Sequence, residues 1–517
     1  MKKVTLFCLS IACVCYACYA QAQIGVQYDP ALQPTGNIQY FKPIGDLSVG
    51  DCMPFYHDGT FSEYWLLDSL HGENLHGLGG HQWVLSTSSD LKTWKQGPIV
   101  LGIDEEWEKS ICTGSVVFYR GKYYAFYATR LINNGQVNEQ LSYAVAGDGI
   151  HFQKQKPNPF YTSAPGYSKR DFRDPKVFVD AAGEFHLFVA SDQEDPVLQH
   201  AAGCLVHLSS KDLKTWTVHD PILTGQPSTP ECPDYFFWKG WYYLVYSDNS
   251  NTYYVKSKGP YGPWQEPAYQ ALNEDWANVV KTAAFTGDRR IATAWIPARL
   301  DNKDNEHEIF GGNMVFREVL QEPDGTLDTR FPPEMIPAAG ADRAVRITPD
   351  LSAATSSASV STPAVEPVSG PSSAPAPFSA PAGVVIDAPG GVGAAHVEGL
   401  PAHCRITFYA EPSGPDEEYG VYLKSSAHAE TGYRLNISAE DQTVSLGNTS
   451  IRAVKGLDRR IRVDIIVKED IIDVCIDGRR CIVNRVPQAK GDFLWFYAKH
   501  GKVKFTGVRV RALEENQ

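Results

Sequence analysis

One pattern recurs along the first two-thirds of the chain and restricts the fold more than any other: a short glycine-containing turn, then an aromatic-rich strand. It reads "HDGTFSEYWLLD", "YRGKYYAFYATR", "AAGEFHLFVASD" and "WKGWYYLVYSDN", and in weaker form "FTGDRRIATAWI". The turn glycines Gly59, Gly121, Gly183, Gly240 and Gly287 are separated by 62, 62, 57 and 47 residues. A period of that size suits one four-stranded unit per repeat. The first four repeats each continue into a second element, "SSDLKTW", "GDGIHF", "SSKDLKTW" or "KGPYGPW", which reads as a turn leading to an outer strand. Five such units predict an all-β domain, a five-bladed β-propeller over about residues 40–345. A sandwich with irregular insertions is the alternative.

Composition changes abruptly after that. Residues 350–383 are almost entirely Ser, Ala, Pro, Val and Gly, cannot bury a core, and read as a linker. Beyond it, "YGVYLKSS", "TGYRLNIS", "RIRVDIIVK" and "KVKFTGVRVRAL" alternate apolar with polar residues, so a β-sandwich is expected over 384–514. With 517 residues, two domains are the natural expectation. The N-terminus, "MKKVTLFCLSIACVCYACYAQAQ", has the layout of a signal peptide over residues 1–22. Export to a periplasmic or extracellular location follows, with a lipid anchor at Cys13 or Cys18 as the alternative. No later segment reads as membrane-spanning. Seven cysteines remain outside the leader; Cys475 and Cys481 flank a hairpin and could pair, but free buried thiols are expected in so large a chain.

A formal net charge of −13 argues against a nucleic-acid partner and favours a neutral substrate over a phosphorylated one. Counting back from the turn glycines finds Asp51 eight residues before Gly59, and Asp174 and Glu231 each nine before theirs. The same offset gives Cys112 and Asn278 in the second and fifth units. Three units therefore aim an acid at one end of a common channel. Asp174 is held between Arg173 and Pro175, and the proline is expected to keep it extended just ahead of its strand. Buried carboxylates are costly unless paired or functional. Three of them around a pocket suit glycoside hydrolysis, where one attacks the anomeric carbon or activates water and another protonates the leaving oxygen. The bland reading is that they satisfy backbone amides around the channel.

"FRDPKVF" and "ECPDYF", with an acid opening the first unit, resemble glycoside hydrolase family 32, the β-fructosidases. "LSTSSDLKTW", "TGSVV", "DRRIATAWI" and "RIRVDIIVKEDIIDVCIDG" are similar to further parts of that family, so the resemblance spans both domains. It implies Asp51 as nucleophile, Glu231 as general acid/base and Asp174 as transition-state stabiliser, with Arg173 beside it. It implies retention through a covalent fructosyl-enzyme, a fructan or sucrose-like carbohydrate as partner, and no metal or organic cofactor. Trp83 and Thr113 fall at sugar-contacting positions, though Trp83 also suits packing between units. The chain departs from the family's first motif: "VGDCMPFY" has Gly50 where an asparagine is usual, and Leu66 stands in place of a glutamine, with Asp68 nearby as a polar substitute. Two rival readings stay open, an inverting arabinosidase or xylosidase and a non-catalytic carbohydrate-binding propeller. "HGENLHGLGGHQ" carries His71, His76 and His81 and reads as a loop on the pocket rim rather than a metal site. The acidic runs at 104–108 and 301–308 read as solvated loops.

Overall fold

A computed structural model describes residues 25–350, 382–415 and 417–514. The expected leader, and most of the Ser/Ala/Pro-rich segment, lie outside the described residues. The first part of the chain forms five successive antiparallel meanders. Their first strands are Leu47–His57, Ser110–Tyr119, Tyr167–Val179, Glu231–Trp238 and Asn278–Phe285. Each touches the next, and the fifth touches the first, so these strands close a ring while the later strands of each meander fan outward. This is a propeller.

The repeated turns work as their sequence implies. Asp90, Asp148 and Asp212 each accept two backbone N–H bonds from residues two and three positions on, fixing three equivalent turns. The aromatics that follow, Trp94, Phe152 and Trp216, pack edge-on or tilted against ring side chains of neighbouring strands. The fourth meander differs from the four-stranded expectation and has three strands. Its outer segment, "KGPYGPWQEP", carries prolines that cannot donate to a ladder, and it joins the third strand's end through the isolated bridge Lys256↔Gln265 instead of a fourth strand.

The C-terminal sheet folds around one twenty-residue strand, Phe493–Ala512. That strand pairs with Ala382–Val397 along its length, with Glu418–Ser425 near its start and with Cys404–Pro412 near its end. It thus turns the corner between the two layers of a sandwich, whose core holds Phe408, Ile465, Phe496 and Phe505. The segment before 350 belongs to this domain too: Thr348–Asp350 pairs with residues 394–396, and Arg343 N donates to Val510 O. Both ends of the Ser/Ala/Pro-rich stretch therefore attach to the sandwich, so it is an insertion within that domain rather than a connector between domains.

Propeller and sandwich share a core. Val315 and Val319 of the fifth meander pack with Ile466, Ile471, Cys475, Cys481 and Val483. Cys475 and Cys481 sit directly opposite each other, and both thiols are free. Within this interface Arg317 is buried between Glu274 (2.7 Å) and Asp473 (2.8 Å), and the Tyr40 hydroxyl donates to Asp473. Burying that guanidinium is tolerable because both carboxylates and its remaining donors are matched.

Candidate active site

All five inner strands carry a β-bulge at the same depth. Two residues of each oppose one on the neighbouring strand: Gly50 and Asp51 opposite Leu66, Cys112 and Thr113 opposite Ala128, and Asp174 and Pro175 opposite Val189. Cys232 and Pro233 oppose Tyr246, and Val279 and Val280 oppose Ala294. A bulge re-aims side chains, and here five of them turn toward one cavity. Asp174, Cys232 and Val279, each first in its bulge, have φ of +55°, +52° and +56°. Such values are costly for non-glycine residues and cluster at functional sites.

This geometry corrects two expectations. Asp174 lies within its strand, not ahead of it, and adopts the left-handed region rather than an extended conformation. The three acids also do not share one register. Glu231 precedes its bulge, Asp174 is first in its bulge and Asp51 second. They converge nonetheless, because in the third and fourth meanders the residue before the bulge and the first residue of the bulge both line the cavity.

The cavity has a volume of about 340 Å³ and is lined by all five meanders, including Asp51, Thr113, Arg173, Asp174 and Glu231. Asp51 Oδ1 accepts from Trp295 Nε1 at 2.9 Å, and its Oδ2 accepts from the Thr113 hydroxyl. Cys232 Sγ stands 3.5 Å from Oδ2 of both Asp51 and Asp174, and Cys232 N donates to Asp174 Oδ2 at 3.1 Å. Burial, reinforced by the neighbouring aspartates, pushes this thiol well up, so it is a proton donor between the two carboxylates. Arg173 Nη2 donates to Glu231 Oε1 at 2.9 Å. The same guanidinium is shared with Asp171 (2.5 Å) and Glu139 (3.4 Å).

Burial raises the Asp174 carboxyl to about 7, with the charges of Glu139, Glu231 and Asp51 adding to it and Arg173 opposing. Glu231 is likewise raised, by burial first and by Asp51 and Glu139, again against Arg173. Its side chain keeps 44 % of its surface exposed, whereas Asp51 and Asp174 lie deeper. A raised acid at the mouth above two deeper carboxylates fits proton donation to a departing group.

Trp83 and Asp68 do not line the cavity. Trp83 is fully buried in the core between the first two meanders and donates to Cys112 O at 2.8 Å. Asp68 is fully buried behind His81, whose Nε2 lies 3.1 Å away, and accepts from Gly72 N. His81 is the member of the histidine-rich loop that reaches the cavity, stacked on Phe310. Gly50 is explained by the same ring: a Cβ there would meet Phe310 at 2.9 Å.

Glu139, Arg130, Trp295, Cys232, Glu308 and Phe310 are cavity residues that motif reading missed. Glu139 is buried, yet Arg130 and Arg173 outweigh that burial and hold it below the usual carboxylate range. The one available signal was the cross-strand register Arg130↔Glu139, opposite charges facing each other at the channel end of a hairpin. Neither acidic run is simply solvated. Glu108 is buried and ion-paired to Lys154 at 2.6 Å, and Glu308 accepts from Asn278 inside the cavity at 3.2 Å. A larger cavity, about 940 Å³, lies between the domains near Arg299, His403 and Asp470, away from the clustered acids. The clustered acids line the smaller one.

An all-β propeller with an appended sandwich, and carboxylates converging where its inner strands bulge, is the class that fold and site define. The chain belongs to the glycosyl hydrolases family 32: the N-terminal-domain model of that family matches residues 52–322. The match begins one residue after Asp51, so the place of that acid is read from geometry. The chain is 25% identical over 298 residues to a sucrose-6-phosphate hydrolase of Escherichia coli, covering 53% of this chain and 57% of that protein. It is 30% identical over 186 residues to a levanase of Bacillus subtilis (strain 168), covering 34% of this chain and 25% of the levanase. The alignments thus span little more than half, or less, of these relatives' own lengths. In fold it is similar to a β-fructofuranosidase of Bombyx mori, with a TM-score of 0.64 and 15% identity over 94% of this chain and 95% of that one. It is equally similar to a fructan 1-exohydrolase IIa of Cichorium intybus, with a TM-score of 0.64 and 14% identity over 94% of this chain and 99% of that one.

Proposed function

We propose that the chain is a retaining glycosidase that hydrolyses β-fructosyl linkages in fructans or sucrose-like oligosaccharides, and that it is exported. The observation that carries the reading is the convergence of Asp51, Asp174 and Glu231 on one sugar-sized cavity in a family 32 propeller. In the first step an Asp51 oxygen bonds to the anomeric carbon as the glycosidic C–O bond breaks, and Glu231 gives its proton to the leaving oxygen. In the second, water attacks the same carbon and passes a proton to Glu231, and the Asp51–carbon bond breaks. Trp295 and Thr113 orient the attacking carboxylate, while Asp174 grips sugar hydroxyls whose bonds tighten as positive charge builds at the ring.

Charge argues for an unphosphorylated substrate. Asp51, Glu139, Asp174, Glu231 and Glu308 line the cavity against Arg130 and Arg173, and both arginines are committed to carboxylates. A phosphate would enter a net negative site with both of these cations already bonded.

Purified protein incubated with sucrose, inulin, levan and arabinoxylan, with product analysis, tests this. Fructose-containing products of retained configuration, seen by NMR within minutes of mixing, are expected. Release of the inverted anomer from arabinoxylan, or binding of these sugars with no turnover, would replace the proposal by an inverting glycosidase or a binding propeller.

A further inference from the structure

The outer face of the sandwich holds a second concave site that the propeller chemistry does not use. A basin of about 520 Å³ is lined by Arg405, Arg460, Arg462, Arg509 and Arg511, with Tyr409 at its floor. The arginines come from neighbouring strands: Arg405 pairs directly opposite Arg511, Thr407 opposite Arg509, and Tyr409 opposite Arg462. Like charges facing each other across a ladder are destabilising, so this face gives up stability to hold its cations together.

Two carboxylates offset part of the charge. Asp464 accepts a bidentate bond from Arg405 (2.9 and 2.7 Å) and another from Arg462 (3.0 Å). Asp342 clamps Arg511 and Arg509 from the rim. Five guanidiniums against two carboxylates leave three positive charges in excess, on a chain whose formal net charge is −13. Arg460 makes no ion pair among the described residues and lies flat on the Tyr409 ring, 3.6 Å from its centroid. The side chains of Arg462 and Arg509 are 45% and 48% exposed.

The geometry points to an anion of defined shape. Guanidinium forks match a carboxylate bidentately, as Asp464 already shows within the basin. The concavity accepts one or two sugar rings, with the hydroxyls of Thr407 and Thr506 on its wall. A flat bilayer cannot enter it, and a long polyphosphate would meet the negative remainder of the surface. We propose that this basin binds a uronate-bearing saccharide, with the carboxylate seated among Arg460, Arg462 and Arg509. The sandwich then holds the enzyme on acidic glycan while the propeller works on its own substrate.

Calorimetric titration of the full chain with trigalacturonate, beside its methyl ester, tests this. The acid is expected to bind at least about tenfold more tightly than the ester and to weaken as salt is raised. Arg460→Gln combined with Arg509→Gln is expected to weaken it by at least about tenfold again, while fructan hydrolysis stays unchanged. Equal binding of acid and ester, or no binding of the acid at about 5 mM, overturns the proposal. Tighter binding of inorganic phosphate or of phosphatidylglycerol vesicles overturns it as well. The acid-versus-ester comparison uses the unaltered chain and stands even if the double variant fails to fold. Failure of the basin leaves hydrolysis at the propeller intact, so the two readings fail separately.

Discussion

The inner ends of the propeller strands and the strands of the sandwich have similar raw material, apolar β-formers in antiparallel ladders, and use it in opposite ways. In the sandwich, Cys404–Pro412, Ile461–Lys468, Ile471–Ile476 and Arg480–Arg485 pair without a break in register. Ile461, Val463 and Ile465 face its core, and Ile466 turns to the propeller. In the ring, every inner strand breaks register at the same level, three residues there have left-handed φ, and buried carboxylates raise one another's proton affinity. What distinguishes the ring is that its irregularity recurs at one level in all five meanders, where sugar chemistry is proposed, whereas the register shifts of the sandwich fall along the single strand Phe493–Ala512.

That contrast can be broken most severely at the acids themselves. Asp51→Ala and Glu231→Gln should each lower kcat by roughly 10³–10⁵-fold while the thermal midpoint moves by no more than about 2 °C, because neither side chain holds the core. Steady-state rates beside melting curves decide it; a collapsed melting point would mean that the ring depends on its acids for folding. The converse substitution lies in the sandwich. Phe496→Ala, which removes a fully buried ring packed against Phe408 and Phe505, should cost about 3–5 kcal/mol in urea unfolding and leave kcat per folded molecule unchanged.

The smallest effect is the most discriminating. Between an unfolded carboxyl value of about 4 and its folded value of about 7, Asp174 binds a proton that the unfolded chain has already lost, so stability falls as pH rises through that window. Asp174→Asn removes this penalty. It should gain on the order of 1–3 kcal/mol at pH 8, gain nothing near pH 4, and lose turnover. Urea titrations at both pH values measure the difference; a loss of stability at pH 8 would show that the charged carboxylate supports the fold.

The glycine turns and aromatic strands announced the meanders because a turn needing positive φ and a half-buried strand both leave marks in sequence. Asp51, Asp174 and Glu231 were legible for the same reason: acids at the heads of apolar runs are conspicuous. The bulges were not, since each arises from pairing with a neighbour and no residue type marks it. Counting from Gly59, Gly183 and Gly240 therefore picked out three acids that line one cavity but placed them in one register. Trp83 and Asp68 were near in sequence and hidden in space, and Glu139 and Trp295 the reverse. Those two reach the cavity from the second and fifth meanders, through closure of a ring that no local window contains.

The strand Phe493–Ala512 carries a consequence for biosynthesis. Three other strands of the sandwich find their common partner in it, and it leaves the ribosome after all three. Until those twenty residues emerge, Ala382–Val397, Cys404–Pro412 and Glu418–Ser425 present open edges to any neighbouring chain. A frameshift just ahead of that strand would thus spare every residue of the sugar cavity and still yield a protein prone to aggregate.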